Sequence, residues 1–334
     1  MRAAVFRGEG RLVIEDVPEP VIDQPDDVLI EVEACGVCGS DVHVLDVPPG
    51  HPATPGTILG HEFVGRIVEV GPAVEGLRPG DRVVADPDPK CGSCESCRAG
   101  RPSNCTRIVA LGVYRHGALA RLVTVPAAAV FPIADAVPAE VAALVEPLAC
   151  VINGVSRAGV RPGESAVVFG AGATGCLFVA YLKAAGASPI ISVEPSRRRH
   201  AAVCAVGADV ALTPDEFATA RAGLLPNGAA VVVDAVGQVF GPAIEAAAMG
   251  GRIVLFGMND NARAPIPQVE ITRKGLTVTG SYISNFTFPP AVALVESGRI
   301  DLRPIVTDIL PLDRTAEGID RIRSGEATKI VIRP

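Results

Sequence analysis

This sequence predicts an α/β chain in two lobes: a β-rich first lobe, followed by a doubly wound parallel sheet. Three observations carry the prediction. The chain has 334 residues, more than one hydrophobic core usually organises. From residue 1 to about 145, short β-rich runs are broken by turns. From Pro138 to about residue 281, apolar strands alternate with Ala-rich helical stretches, the pattern of a parallel sheet covered by helices on both faces.

In chain order, VLIEVEACGV, FVGRIVEVG, GDRVVAD and ARLVTVP are the strands of the first lobe. SAVVFGAG, SPIISVE, AAVVVDAVG and RIVLFG are those of the second. The helices between them are TGCLFVAYLKAAG, SRRRHAAVCAVGA and a stretch running to Met249. Gly186 and Gly207 stand where helix C-terminal caps are wanted. Residues 282–334 return to mixed short segments and are expected to pack on the first lobe. The expected division is therefore 1–147, 148–281 and 282–334.

A net charge of −7 lacks the basic face that nucleic acid requires. The only local basic cluster is Arg197, Arg198 and Arg199, a solvated face from which Arg199 can touch a cofactor phosphate or ring. The N-terminal MRAAVFRGEG has no apolar core of signal-peptide length, so a cytoplasmic setting is expected. The eighteen uncharged residues Ser165–Leu182 contain a patterned glycine turn, which reads as strand, loop and buried helix rather than a membrane span.

Cys91, Cys94, Cys97 and Cys105 are spaced as a four-thiolate zinc cage. Four sulfurs close the tetrahedron and leave no position for substrate, so this zinc is structural. The surrounding Pro87, Pro89, Gly92, Gly100 and Pro102 give an irregular lobe that metal binding would have to fold. Disulfides or free thiols are the competing explanations, set behind zinc by the tight spacing and the expected lack of an export signal.

After the strand Ala166–Phe169 comes Gly170-Ala171-Gly172-Ala173-Thr174-Gly175, followed at once by helix. Glu194 lies nineteen positions beyond Gly175, at the end of the second strand. Together they form the dinucleotide fingerprint: glycines let a pyrophosphate approach the helix N-terminus, and the acid accepts the ribose hydroxyls. A carboxylate at Glu194 repels the extra phosphate of NADP, so NAD is expected.

Cys38 and His61 are two further soft ligands, with Glu62 beside His61 and Glu146 in the apolar run VAALVEPLAC. Each has a dull explanation alone. A carboxylate inside such a run, however, is costly to bury without a cation. One thiolate, one imidazole and one carboxylate would leave a fourth zinc position open for catalysis.

GHEFVGRIVEVGPAVEGLRPGDRV, residues 60–83, resembles the zinc signature of the medium-chain alcohol dehydrogenase superfamily. With CGSDVH, the four-cysteine lobe, VEPLA and GAGATG, the resemblance covers essentially the whole chain in the family's order. Glu146 in its EPLA context is similar to the polyol (sorbitol) and threonine dehydrogenase branch. That branch implies a GroES-like catalytic domain joined to a Rossmann domain.

Carried over by position, the resemblance makes Cys38 and His61 catalytic-zinc ligands, with either Glu62 or Glu146 as the carboxylate ligand. It gives Asp41 the task of orienting the histidine, and Ser40 and His43 a proton relay for an alcohol whose hydride passes to NAD. It also implies a homodimer or homotetramer, with RIVLFG and LTVTGSY as candidate edges. The substrate it implies is a secondary alcohol on a polyol, sugar, cyclitol or amino alcohol. Asn153 is a polar residue compatible with such a substrate, and the aromatic content of 4% disfavours a wide pocket for aryl alcohols. Cys35, Cys150, Cys176 and Cys204 read as small core residues. Two alternatives stand beside this function. A zinc-free reductase of quinones or activated double bonds would leave Cys38, His61 and Glu146 without a purpose. A non-catalytic NAD-binding zinc protein would have no need of Ser40 and His43.

Overall fold

The computed structural model describes all 334 residues, which divide into two compact units. The first contains residues 1–147, 284–298 and 306–334, and the second 148–283 and 299–305. Residues 299–305 thus leave the expected return segment. Their short turn Arg303–Ile305 packs with the helix His200–Ala205 inside the second unit.

The first unit opens with a hairpin of β1 (Arg2–Phe6) and β2 (Leu12–Asp16). Its main sheet is built from β3 (Asp27–Gly36), β4 (Glu62–Val70), β5 (Arg82–Ala85), β6 (Leu122–Pro126) and β7 (Val130–Pro132). β3 pairs antiparallel with β4 and β6, and β4 continues to β5 and then β7. Phe6, Ile30, Phe63, Leu119 and Ile330 are buried in its core. Ala118, Leu119 and Ala120 are fully buried there, and the amides of Ala118 and Leu119 donate to the carbonyls of Gly60 and Leu59.

The second unit carries β8 (Ala166–Phe169), β9 (Ile190–Val193), β10 (Val210–Leu212), β11 (Ala229–Asp234), β12 (Ala247–Leu255) and β13 (Thr277–Gly280). All pairs are parallel, in the order β10-β9-β8-β11-β12-β13. The chain winds outward in both directions from β8, which puts the topological switch point between β8 and β11. The helix expected to reach Met249 ends at Ala246. Ala247 turns extended and pairs with Ala229, and Gly250-Gly251 follow with Gly250 at φ +70°, so Met249 belongs to β12. β12 lies inside the sheet, whose edges are β10 and β13, which removes RIVLFG as an edge segment.

The chain returns to the first sheet as β14 (Val306–Pro311) and β15 (Lys329–Arg333), with β15 antiparallel to β3. The stretch Ala139–Ala158 is long and apolar enough to cross a membrane, but 78% of its 18-residue apolar window is buried within the fold, as in a core helix.

Candidate metal and cofactor sites

Cys38 ends the turn after β3 and caps the helix Gly39–Val44 with an extended backbone. Asp41, in that helix's first turn and 2% exposed, accepts a hydrogen bond from the Cys38 amide at 2.8 Å through Oδ2. Its other oxygen faces His61 Nδ1 at 3.8 Å. Gly60, at φ +88°, turns the chain into β4, and a Cβ there would come within 2.7 Å of Cys35 Sγ and Leu119. His61 and Glu62 follow at the mouth of β4.

Ligand atoms of Cys38, His61 and Glu62 lie within 4.8 Å of one another. That is slightly wider than the ~3.5 Å spacing of donors around a tetrahedral zinc. His61 Nδ1 is buried without a hydrogen-bond partner. Burial works against a charge on His61, but Asp41, the Cys38 thiol and Glu146 outweigh it and push its pKa well above the imidazole range. Burial, followed by the charge of Glu62, pushes the Glu146 carboxyl up to about 8. This is an anionic pocket that wants a cation, and its thiolate, imidazole and carboxylate donors are those of an open zinc site.

Glu146 stands in the field of this triad but outside its ligand cluster. Ser40 Oγ lies 3.4 Å from His61 Nε2, and exposed His43 pairs through Nδ1 with Asp46 at 3.0 Å. Sequence reasoning missed Lys329, which pairs with Glu62 from β15. A cation heading the apolar run IVIR was its only signal.

The sulfurs of Cys91, Cys94, Cys97 and Cys105 also lie within 4.8 Å of one another, with Cys91 and Cys97 4.0 Å apart, close to the ~3.8 Å edge of a zinc tetrathiolate. Backbone amides of Ser93 and Cys94 hold the Cys91 pKa down at about 5, while burial and the neighbouring thiols push Cys97 up to about 12.

In the second unit Gly170 follows β8 at φ +96° and Gly172 caps the helix Ala173–Ala184. A Cβ on Gly172 would meet open space, whereas one on Gly175 would fall on the Gly170 carbonyl. These are the separate demands a pyrophosphate cradle makes on its second and third glycines. Ala173 and Thr174 begin the helix between them. Glu194, 4% exposed, accepts from the amides of Ala171 at 2.7 Å and Ser196 at 2.9 Å, and Arg199 Nη1 stands 3.8 Å away. Each oxygen keeps a second lone pair for a ribose hydroxyl. Arg199 Nε is buried without a protein partner. Across the switch point, Asp234 gathers the amides of Val236, Gly237 and Val239, which fixes the neighbouring loop.

Two expectations fail. Asn153 is 4% exposed and bonds the carbonyls of Tyr282 and Ile283, so it holds backbone rather than substrate. Cys204 is exposed rather than core.

A parallel-sheet unit with a glycine cradle and, in the same chain, a unit with one closed and one open metal cluster define the class of zinc-binding dehydrogenases. Residues 24–135 match the alcohol dehydrogenase GroES-like domain, and residues 173–297 match the zinc-binding dehydrogenase family. Sorbitol dehydrogenase of Bombyx mori is 34% identical, covering 99% of this chain and 97% of its own. D-arabinitol dehydrogenase 1 of Uromyces fabae is 33% identical, covering 94% and 92%. A solved zinc-binding dehydrogenase from Sinorhizobium meliloti 1021, bound to NADP, superposes with a TM-score of 0.93 at 32% identity, covering 100% and 99%. The chain belongs to the zinc-dependent medium-chain alcohol dehydrogenase superfamily, on its polyol dehydrogenase side.

Proposed function

We propose that the chain oxidises a secondary alcohol of a polyol, sugar or related hydroxylated small molecule, passing hydride to NAD. The open Cys38–His61–Glu62 cluster carries this reading, because a purely structural metal would not leave a position free. Zinc held there supplies Lewis-acid polarisation of a hydroxyl oxygen. Asp41 acts on the His61 ring by its charge, 3.8 Å from Nδ1 and on the side away from Ser40. Ser40 would relay the hydroxyl proton, accepting it as its own Oγ–H passes by way of the cofactor ribose toward exposed His43, whose ring Asp46 steadies. The glycine loop binds pyrophosphate, Glu194 selects the unphosphorylated ribose, and Arg199 lies against the adenosine end. The kinship to polyol dehydrogenases supports the substrate class. A homodimer or homotetramer formed along the β13 edge belongs to the same reading, and light scattering would give its mass.

The test is the initial rate of NADH or NADPH formation against pentitols, hexitols, cyclitols, threonine and simple secondary alcohols. The expected result is a polyol rate with NAD that exceeds the NADP rate and vanishes in Cys38→Ser, while NAD still binds. Full activity in Cys38→Ser would refute the metal-centred reading.

A further inference from the structure

Lys329 opens β15 at 2% exposure, and its ammonium meets Oε2 of Glu62, which is 1% exposed. Their strands do not touch, since β4 and β15 lie on opposite sides of β3. Gly36, at the end of β3, is registered against Glu62 on one side and Val331 on the other. A Cβ on Gly36 would fall on Glu62 Oε2 and come within 3.0 Å of Lys329 Cε. The ion pair therefore crosses a whole strand at the residue that has no side chain to obstruct it.

A strand clamp is a weak reason for such a pair. Desolvating two ions is costly, and packed apolar side chains hold strands as well or better. Glu62 is also within 4.8 Å of the ligand atoms of Cys38 and His61. Lys329 Nζ donates a hydrogen bond to Glu62 Oε2, an ammonium on a carboxylate in a buried setting. A fixed cation on one carboxylate oxygen draws charge from the group and limits its swing toward a second cation.

Resting on the zinc reading of Cys38, His61 and Glu62, we propose that Lys329 is a positioning residue, a built-in cation that shares Glu62 with the metal. It restrains that carboxylate from closing the coordination position the substrate needs. Freed from Lys329, Glu62 would bind the metal fully and hold it longer.

The test follows zinc release to a chromogenic chelator, with the phase absent from Cys38→Ser identifying this site, together with visible spectra of the cobalt-substituted enzyme. With the competing positive charge gone, Lys329→Met should release this zinc on the order of tenfold more slowly and change the cobalt spectrum. Lys329→Arg, which keeps the cation, should match the wild type. Should Lys329→Met fail to fold, the double variant Glu62→Gln/Lys329→Met removes both charges. It should release zinc faster than the wild type, because the shared carboxylate is gone. Wild-type release and spectrum in Lys329→Met, or in the double variant, would overturn the proposal while leaving the zinc reading intact. A wild-type protein holding a single zinc at the four-thiolate site would overturn both.

Discussion

Asp41 shows how much one buried side chain can organise. One of its oxygens caps the helix that presents Ser40 and His43, and the other faces the ligand His61. Replacing it with Asn keeps a cap but weakens the hold on the imidazole. Asp41→Asn should lose about 10–100-fold in activity or metal affinity, measured by polyol turnover and zinc content. An unaffected variant would show that the 3.8 Å approach does nothing. Residues of this scale were legible where spacing is local: the four cysteines, the glycines and GHE lie within short windows. Lys329 was not legible, because its partner Glu62 is 267 positions away and only the sheet order brings them together. Asn153 misled for a related reason, since its acceptors are backbone carbonyls that no sequence pattern marks.

At the scale of elements, the strand–loop–helix unit around residues 166–184 was read correctly because every local signal agrees. Strand, glycines and an apolar helix follow one another without a gap. Its tightest demand is at Gly175, whose missing Cβ lets the helix sit on the Gly170 carbonyl. Gly175→Ala should push the helix away and weaken NAD binding at least on the order of tenfold, while the zinc content stays unchanged. Cofactor fluorescence titration checks this, and unchanged affinity would show that the loop does not bind pyrophosphate as a cradle. Where local signals are mixed, the pattern misleads. Ala243–Met249 is Ala-rich enough to read as continuous helix, yet pairing with β11 and the Gly250-Gly251 break claim its last residues for a strand. Periodicity also cannot distinguish an interior strand such as β12 from an edge such as β13.

For the whole molecule, the metal-free sites set a pH signature. The Glu146 carboxyl, ordinarily near 4.5, is raised by burial and Glu62 to about 8 in the folded chain. Between those values the folded state keeps a proton that the unfolded chain has released, so folding weakens as pH rises. His61 adds the same slope. Its contribution is complete below pH 6.5 and is lost as pH climbs through its raised folded value. Zinc would supply the missing positive charge and remove this dependence. The melting temperature of chelator-stripped protein should therefore fall between about pH 5 and pH 8, while zinc-loaded protein stays flatter. Parallel curves would mean that neither group senses the site. The expectation of two lobes came from chain length and the change of pattern near Pro138, whereas the transfer of residues 299–305 to the second unit depends on a packing partner far away in sequence.

The most direct test of the account is the rate of polyol-dependent NADH formation as zinc is returned to metal-stripped protein. Two zinc ions per chain are predicted, with the rate appearing only as the Cys38–His61–Glu62 site fills, and absent in Cys38→Ser even when the four-thiolate site is full. Full turnover with zinc bound at the four thiolates alone would contradict it.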